Sequence, residues 1–357
     1  MSKRRWWSPF RSRQRPATAA PPANAIGAER PASASVANAA VAAGGAAAGD
    51  AESPAEAAGR RQRFVAWMLG PPAPVAEAAP PAFLGQMLER LDAVIASDTQ
   101  RAALLPRAAH VVPQLMKILR DEHYSSVDVA SRIAKDVMLS AEVIRSATGA
   151  YRRTADEEAG GEIDLARAVA IVGTTGLRRA IASVVLRPIF DAAGKSLSAR
   201  AAPQIRLHAE KKARLASTLA AAAGLDPFDG YLAGLLHDAG WTATLRGIDG
   251  LGDLFVSADD IAHPAVVPQL ARRRDTLFGL IVAPWDLSRG LDALAGEIGR
   301  DGLVGVRSPL GRALAEADRL AELHALAAGR RGVNAVPDWE ALAKPVQDTF
   351  HALPAKA

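Results

Sequence analysis

The chain has 357 residues, 49% of them apolar and 23% charged, a balance typical of soluble globular proteins with enough apolar residues for a sizeable core. It contains no cysteine, which excludes disulfides and thiolate metal sites, so a bound metal would need His, Asp or Glu ligands. The net charge is +5, and because residues 1–60 hold eight Lys or Arg against four acids, the rest of the chain is almost neutral.

The first 60 residues predict a disordered, basic, Ala/Pro-rich tail. From Pro16 to about Ala58 nearly all residues are Ala, Pro, Gly or Ser, and such a composition cannot bury enough surface to offset the entropy of ordering. Before this stretch, aromatic residues among cations suit an anionic membrane surface, nucleic acid or a protein partner, although a solvated terminus without a single role has the same composition. The residues expected to make such a contact are Arg4, Arg5, Trp6, Trp7, Arg11 and Arg13.

No segment predicts a membrane span or a secretory leader. The longest apolar runs, such as AIASVVL at 180–186, are far shorter than the roughly 20 residues that cross a bilayer. The basic N-terminus is not followed by an apolar core or a small-residue cleavage site. We therefore expect a cytoplasmic protein without a transmembrane segment.

After the tail, the sequence predicts helices throughout. Residues 61–82 predict a short helical segment around Trp67 and then a Pro-rich linker. From residue 83 onward apolar residues repeat at three- and four-residue intervals, and no run has the sustained alternation of a strand. This pattern predicts an all-α, two-lobed helical bundle, with an N-terminal lobe at 83–198 and a second lobe at 199–357.

Turn signals predict where several of these helices end. Gly173 separates IDLARAVAIVG from GLRRAIASVVLRPIF, so we expect a helix to break there. A loop is expected at about 191–200, between the lobes. In the second lobe the predicted helices cover residues 203–223, 227–239, 265–282, 309–327 and 338–351.

One pair of predicted helices has the spacing of a helix-turn-helix. The segment is VDVASRIAKDVMLSAEVIRSA, and the motif is a common DNA reader. Its second helix, however, offers only Arg145 as a clear reader of bases or phosphates, and it also carries Glu142. We therefore favour core packing over DNA binding for this pair.

The segment GYLAGLLHDAGW, residues 230–241, ends an apolar helix with His237 and Asp238 side by side. Gly240 is expected to take the left-handed conformation that ends this helix. The partial negative charge at a helix C-terminus favours a cation, whether a metal ion or a protonated histidine. The doublet is therefore a candidate metal site and, equally, an ordinary helix end.

Two further residues make the doublet more specific, because a catalytic divalent ion needs at least three protein ligands and an open position. His208 lies 29 residues before His237 on the preceding predicted helix, and a hairpin of that length returns the chain to its side. Asp318 lies 80 residues after Asp238 on another amphipathic helix. The chain thus has the order His, His-Asp, Asp.

This order resembles the HD superfamily of helical metal-dependent phosphohydrolases, and YLAGLLHDAGW is similar to the FLAGLLHDIG-type signature of its HDOD branch. LPRAAHVVPQLMKILRDEHYSSVDVASRIAKDVMLSAEVIRSATGAY and LARAVAIVGTTGLRRAI also resemble HDOD segments, so the resemblance covers roughly residues 100–290. It implies a helical bundle of HD/HDOD type from bacterial signalling, a class regarded as regulatory or interaction modules without established phosphohydrolase activity.

The chain departs from the family patterns after the doublet. RDTLFGLIVAPWDL keeps Asp275 and Trp285, but Thr276 stands where the family pattern has a histidine. HD-GYP phosphodiesterases use additional histidines and a Gly-Tyr-Pro signature, whereas between Asp238 and Asp318 this chain has only His263 and no such signature. A two-metal site is therefore undersupplied with ligands.

Two main hypotheses follow. The first is a non-enzymatic signalling module that acts through protein–protein interaction and needs no cofactor. The alternative is a metal-dependent HD-type phosphohydrolase acting on a nucleotide or cyclic dinucleotide. In it, a divalent metal would be held by His208, His237, Asp238 and Asp318, and a cation would face the phosphate, with Lys211, Lys212 and Arg214 as candidates. A third hypothesis is nucleic-acid binding through the basic tail.

The four candidate ligands also have ordinary structural interpretations. His208 precedes the polar stretch Glu210-Lys211-Lys212, which is typical of a helix-surface or packing histidine. The His-Asp doublet would serve equally well in a buried, hydrogen-bonded polar cluster. Asp318, followed by Arg319, is typical of a solvated or paired helix charge.

Overall fold

A computed structural model describes residues 52–70, 82–105, 140–147, 165–192, 194–327 and 336–354. Every regular element in these ranges is helical, so the predicted all-α class is confirmed. The predicted tail up to residue 51, with its Arg and Trp residues, lies outside the described residues. So do residues 71–81 of the linker and the first helix of the helix-turn-helix candidate.

Twelve α-helices follow one another along the described ranges. They are α1 (Pro54–Leu69), α2 (Leu84–Ala96), α3 (Asp98–Leu104), α4 (Leu165–Phe190), α5 (Leu197–Ala222), α6 (Pro227–His237), α7 (Ala239–Asp249), α8 (Ala258–Ile261), α9 (Val267–Val282), α10 (Arg289–Asp301), α11 (Pro309–Leu326) and α12 (Lys344–His351). Residues 140–147 form a further helical segment.

Helix α1 begins before the predicted end of the tail at residue 60. The Ser53 side chain accepts a hydrogen bond from the Glu56 backbone, Glu56 bonds back to Ser53, and Pro54 opens the first turn. This capping box is a strong helix start, so residues 54–60 belong to α1. Its buried face includes Arg60 and Phe64 as well as Val65, Met68 and Leu69.

Helix α4 breaks where the sequence predicts. Gly173 has φ 62° and ψ −175°, a conformation that favours glycine and is not helical, so two helical stretches meet there. By length and composition, residues 167–190 are long and apolar enough to cross a membrane. The part after the break, 174–190, is about 25 Å long, shorter than the roughly 30 Å hydrocarbon core. We therefore treat α4 as part of the helical domain.

Helix α5 is buried along much of its length, and α6 packs against it with the two backbones in contact. A Cβ on Gly230 would lie 2.5 Å from the carbonyl oxygen of Ala216, and one on Gly234 would lie 2.6 Å from the Cα of Ala213. Only glycine fits at such distances, which no real Cβ tolerates. This close approach brings the C-terminal end of α6, His237, against α5.

The prediction for Gly240 is wrong. Helix α6 ends at His237, Asp238 has right-handed helical dihedral angles, and α7 starts at once at Ala239. Gly240 lies inside α7, where a Cβ would meet the carbonyl oxygen of Arg274 at 2.5 Å. The glycine is therefore required for the contact between α7 and α9, and the chain does not turn away after the doublet.

The remaining helices differ from the predictions mostly at their ends. Helix α5 starts at Leu197, six residues earlier than predicted, because Ser196 caps it within the expected loop. The predicted helix 338–351 is a 3₁₀ turn, Trp339–Ala341, followed by α12. Helices α3, α7, α8 and α10 were not predicted.

Candidate functional site: a buried His-Asp cluster

The four residues predicted to form a site converge between α5, α6 and α11. His208, His237 and Asp238 are fully buried and Asp318 is 5% exposed. The His208 Nδ1 and Asp238 Oδ2 atoms lie 2.6 Å apart. His208 is therefore not a helix-surface residue and Asp318 is not a solvated charge.

Three of these residues form a donor set of the kind that binds divalent ions. One ligand atom each from His208, Asp238 and Asp318 lies within 4.8 Å of the others. Carboxylate oxygens and imidazole nitrogens are the usual ligands of Zn²⁺, Mn²⁺ and similar ions. By composition, the cluster allows a divalent metal.

A lysine side chain from the same helix as His208 lies at the centre of the cluster. The Lys212 ammonium donates to Asp238 Oδ1, to Asp318 Oδ1 at 2.8 Å and to His237 Nδ1 at 2.9 Å. Lys212 is completely buried. Lys212 was one of three candidates for a cation facing the phosphate, but it binds the candidate metal ligands instead.

A second layer of side chains holds His237 from its other ring nitrogen. His237 Nε2 lies 3.0 Å from Asp275 Oδ1, which also accepts a hydrogen bond from Arg274 Nε at 2.9 Å. The other oxygen of Asp275 accepts the Leu303 backbone N–H at 2.9 Å. With Lys212 donating to Nδ1, His237 donates from Nε2, which is the arrangement of a neutral imidazole.

The electrostatic environment is consistent with this assignment. Burial, reinforced by the charges of Lys212 and Arg274, lowers the pKa of His237 to about 4. Burial alone raises the pKa of Asp238, but Lys212 and His208 more than offset it and lower the pKa to about 2. The pKa of Asp275 is likewise about 2, because Arg274 and His237 outweigh its burial.

The carboxylates are thus paired with cations that the protein itself supplies. Burial raises the pKa of Asp318, yet Lys212 and Arg274 hold it well below its usual value. Arg274 Nη1 lies 3.7 Å from Asp318 Oδ2. The ionised cluster is therefore three carboxylates around Lys212 and Arg274, with His237 neutral. Such buried charges are tolerated only when they are paired and hydrogen-bonded.

Helix α1 closes the cluster on the His208 side. The Phe64 ring lies over the His208 imidazole, with 4.3 Å between ring centroids. One turn earlier, Arg60 forms ion pairs with Glu322 on α11 and with Glu52. The remaining ring nitrogen of His208, Nε2, is buried and has no hydrogen-bond partner among the described residues.

The sequence reasoning missed part of this site. Asp275 was singled out, but only as a family feature, and Arg274 was not identified. Lys212 lies four residues after His208, so their common helix face was a usable signal, but the charged stretch around it resembled a solvated surface. Lys211 packs instead towards α1, with its ammonium 5.9 Å from the Trp67 ring centre.

Comparison with known proteins gives one family and one solved structure. The HDOD domain family model matches residues 105–252, a range that includes His208 and the doublet but not α1, Asp275 or Asp318. The chain is similar to the crystal structure of a Shewanella amazonensis SB2B protein named "Putative metal-dependent phosphohydrolase". The two are 18% identical over 76% of this chain and 98% of the other, with a TM-score of 0.54, so the likeness is one of fold alone. No curated protein gives a significant match.

Proposed function

This chain carries an HDOD domain, and we propose that it is a non-enzymatic signalling module that acts by binding other proteins. The observation that carries the proposal is the closure of the His-Asp cluster. A catalytic metal needs an open coordination position that a substrate oxygen can reach. Here the cluster is covered by the Phe64 ring of α1, and the atoms that would bind an ion are bonded to Lys212.

The described cavities support the same conclusion. One cavity of about 400 Å³ lies beside Arg178, Asp226 and Asp286. A smaller one of about 60 Å³ is lined by Glu142, Arg187 and Arg206, among others. None of the four candidate ligands lines either cavity. A phosphate ester bound in them would not meet the His-Asp cluster.

Hydrolysis remains the alternative function, and one observation favours it. The donor set of His208, Asp238 and Asp318 has kept its convergent geometry. In that case the domain would turn over a nucleotide or cyclic dinucleotide with a divalent ion, and Lys212 would have to leave the cluster. The name of the Shewanella protein describes that class of reaction for that protein.

Hydrolysis assays on the full chain separate the two functions. The wild type is incubated with Mn²⁺, Mg²⁺ or Zn²⁺ and either bis(p-nitrophenyl) phosphate or cyclic dinucleotides, beside Asp238→Ala and His237→Ala variants. We expect no turnover above the level of the variants. Metal-dependent turnover by the wild type, abolished in a folded Asp238→Ala variant, would establish the hydrolase and exclude our proposal.

The partners are expected to be cytoplasmic signalling proteins, and we assign the basic tail a role in reaching them. The residues concerned are Arg4, Arg5, Trp6, Trp7, Arg11 and Arg13. Crosslinking and pull-down with the full chain and with a chain lacking residues 1–50 test this role. Loss of the captured proteins on truncation supports it; capture of nucleic acid or anionic vesicles instead would assign the tail to those surfaces.

A further inference from the structure

The Lys212 ammonium occupies the point where the candidate ligands meet. Its three hydrogen-bond acceptors surround one atom and come from two parts of the chain: the adjacent residues His237 (Nδ1) and Asp238 (Oδ1), and Asp318 (Oδ1) on α11. Two carboxylate oxygens and an imidazole nitrogen around a common centre form a three-ligand set of the catalytic-zinc type. The centre of this set is filled by a cation that the protein itself carries.

The distances require only a small contraction for a metal ion. The measured separations from the ammonium nitrogen to Asp318 and His237 are 2.8 Å and 2.9 Å. Ligand atoms lie about 2.0–2.2 Å from Zn²⁺, so each would have to move inward by about 0.6–0.9 Å. The positions of the three acceptors are therefore close to those of a metal site.

The hydrogen bonds behind these acceptors are also those of metal ligands. His237 Nε2 donates to Asp275, and the second oxygen of Asp238 is bonded to His208 Nδ1. Metal-binding histidines usually donate their other ring N–H to a carboxylate, which fixes the ring and its tautomer. Because these partners are in place, His237 and Asp238 are already oriented as metal ligands would be.

His208 takes part as the residue that orients Asp238, not as the third ligand. Its Nδ1 atom is engaged with Asp238 Oδ2, and the Lys212 ammonium contacts His237. The distances between ligand atoms group His208 with Asp238 and Asp318. The Lys212 ammonium, however, contacts His237, so we place His237 in the ligand set.

The buried carboxylates around Lys212 need a positive charge beside them. Without Lys212, Arg274 would be left to pair with Asp275 and Asp318, and Asp238 would lose its ammonium partner. Leaving a buried charge without a partner is strongly unfavourable. A divalent ion at the same point would supply the missing positive charge.

We infer that Lys212 takes the place of a divalent metal ion in this domain, and that removing its side chain turns the cluster into a site for one such ion, held by His237, Asp238 and Asp318. This inference goes beyond the proposed function, because it concerns what fills the cluster and not which protein the domain binds. If the inference on Lys212 is wrong, the metal-binding measurements will show it. If the proposed function is wrong, the hydrolysis or partner assays will show it.

The test uses the untagged full chain in five forms: wild type, Lys212→Ala, Lys212→Met, Asp318→Asn and the double variant Lys212→Ala/Asp318→Asn. Lys212→Met is the matched control, because it removes the charge but keeps a long side chain in the centre. Co²⁺ is the probe, since equilibrium dialysis gives its stoichiometry and its visible absorption reports the ligand geometry. Thermal unfolding with and without Co²⁺ gives a second readout.

We expect Lys212→Ala to bind one Co²⁺ per chain at least tenfold more tightly than the wild type and Lys212→Met, and to unfold at a higher temperature with the ion. The double variant should lose both effects. Stoichiometric Co²⁺ binding by the wild type that Asp318→Asn abolishes would overturn the inference, as would equal binding by Lys212→Ala and Lys212→Met. If Lys212→Ala folds only with the metal present, the inference holds; if it folds in neither condition, the ion does not replace the ammonium and the inference fails.

Discussion

At the scale of single residues, the cluster depends on complementary pairing of buried charges. Lys212 links Asp238 to Asp318, and His237 links Lys212 to Asp275, so the five side chains form one connected network. The neutral state of His237 is required, because a second proton would turn its Nδ1 into a donor facing an ammonium. The same residue types around a divalent ion would leave that nitrogen as a ligand.

Replacing Asp318 by Ala tests the value of this pairing. Because Lys212 would lose a partner at 2.8 Å in a fully buried position, we expect the free energy of unfolding to fall by about 3–5 kcal/mol. Urea unfolding followed by circular dichroism measures it. The matched control is Asp348→Ala, which breaks the exposed pair with Lys344 and should cost at most about 1 kcal/mol. Equal losses in the two variants would mean that the cluster contributes no more than a surface pair.

A second residue-scale prediction concerns acid stability. Burial, together with the nearby Lys211, lowers the pKa of His324 to about 4. In the unfolded chain a histidine takes up a proton near pH 6.5, whereas the folded protein takes it up only near pH 4. The free energy of unfolding is therefore highest above pH 6.5 and falls between pH 6.5 and 4, by roughly 3 kcal/mol for this group. His237 contributes a loss in the same window.

Replacing His324 by Leu should therefore remove about half of the loss between pH 6.5 and 4, as measured by urea unfolding at several pH values. Phe350 makes an edge contact with His324, at 5.0 Å between ring centroids. The control Phe350→Leu weakens this contact without removing a titrating group, so its destabilisation should be similar at every pH. An unchanged pH dependence in His324→Leu would contradict the assignment.

At the scale of elements, two helix contacts build the site. Glycines on α6 allow its backbone to touch α5, which brings His237 within reach of Lys212. Helix α1 then packs across α5 and α11, placing Phe64 over His208 and Arg60 beside Glu322. The family match excludes α1, so the closure of the cluster is added by a segment outside the matched domain.

Gly234→Ala tests the first contact. The new methyl group would lie 2.6 Å from the Cα of Ala213, and since backbone cannot yield as a flexible side chain does, α6 must move. We expect a loss of about 1–3 kcal/mol in the free energy of unfolding. Gly85→Ala in α2 is the control: nothing lies within 4 Å of its Cβ position, so alanine should be neutral or stabilise by up to about 1 kcal/mol. A neutral Gly234→Ala would show that the helices are not in backbone contact.

Phe64→Ala tests the second contact. The substitution removes a ring that is 1% exposed, and we expect a loss of about 3–5 kcal/mol together with faster amide exchange in the central turns of α5. Arg63→Ala, on the exposed side of the same helix, is the control and should change neither. Unchanged exchange in α5 for a folded Phe64→Ala protein would mean that α1 does not shield the cluster.

At the scale of the whole molecule, much of the fold and the order of the site residues could be predicted from the sequence. Periodicity of apolar residues gave the helical class, and Gly173 marked a real break. The unpredicted α10 has its buried residues at three- and four-residue intervals, such as Leu291, Leu294 and Ile298, so that signal was present. Helix α7 was hidden by the expected stop at Gly240.

The burial of Lys212 among the acids of the site could not be predicted from the sequence pattern. Lys211 and Lys212 stand in a charged stretch that is typical of a solvated helix face, but the surrounding helices bury α5 on nearly all sides. Whether a lysine points into a cluster depends on packing between segments more than 100 residues apart, such as α5 and Asp318. No local pattern carries that information.

The measurement that tests the account most directly is a crystal structure of the full chain grown in millimolar Mn²⁺, with anomalous scattering recorded to locate the ion. We expect the Lys212 ammonium between Asp238, Asp318 and His237, the Phe64 ring over His208, and no anomalous peak within the cluster. A manganese ion bound by His208, Asp238 and Asp318, with Lys212 turned away, would contradict the account and restore the hydrolase.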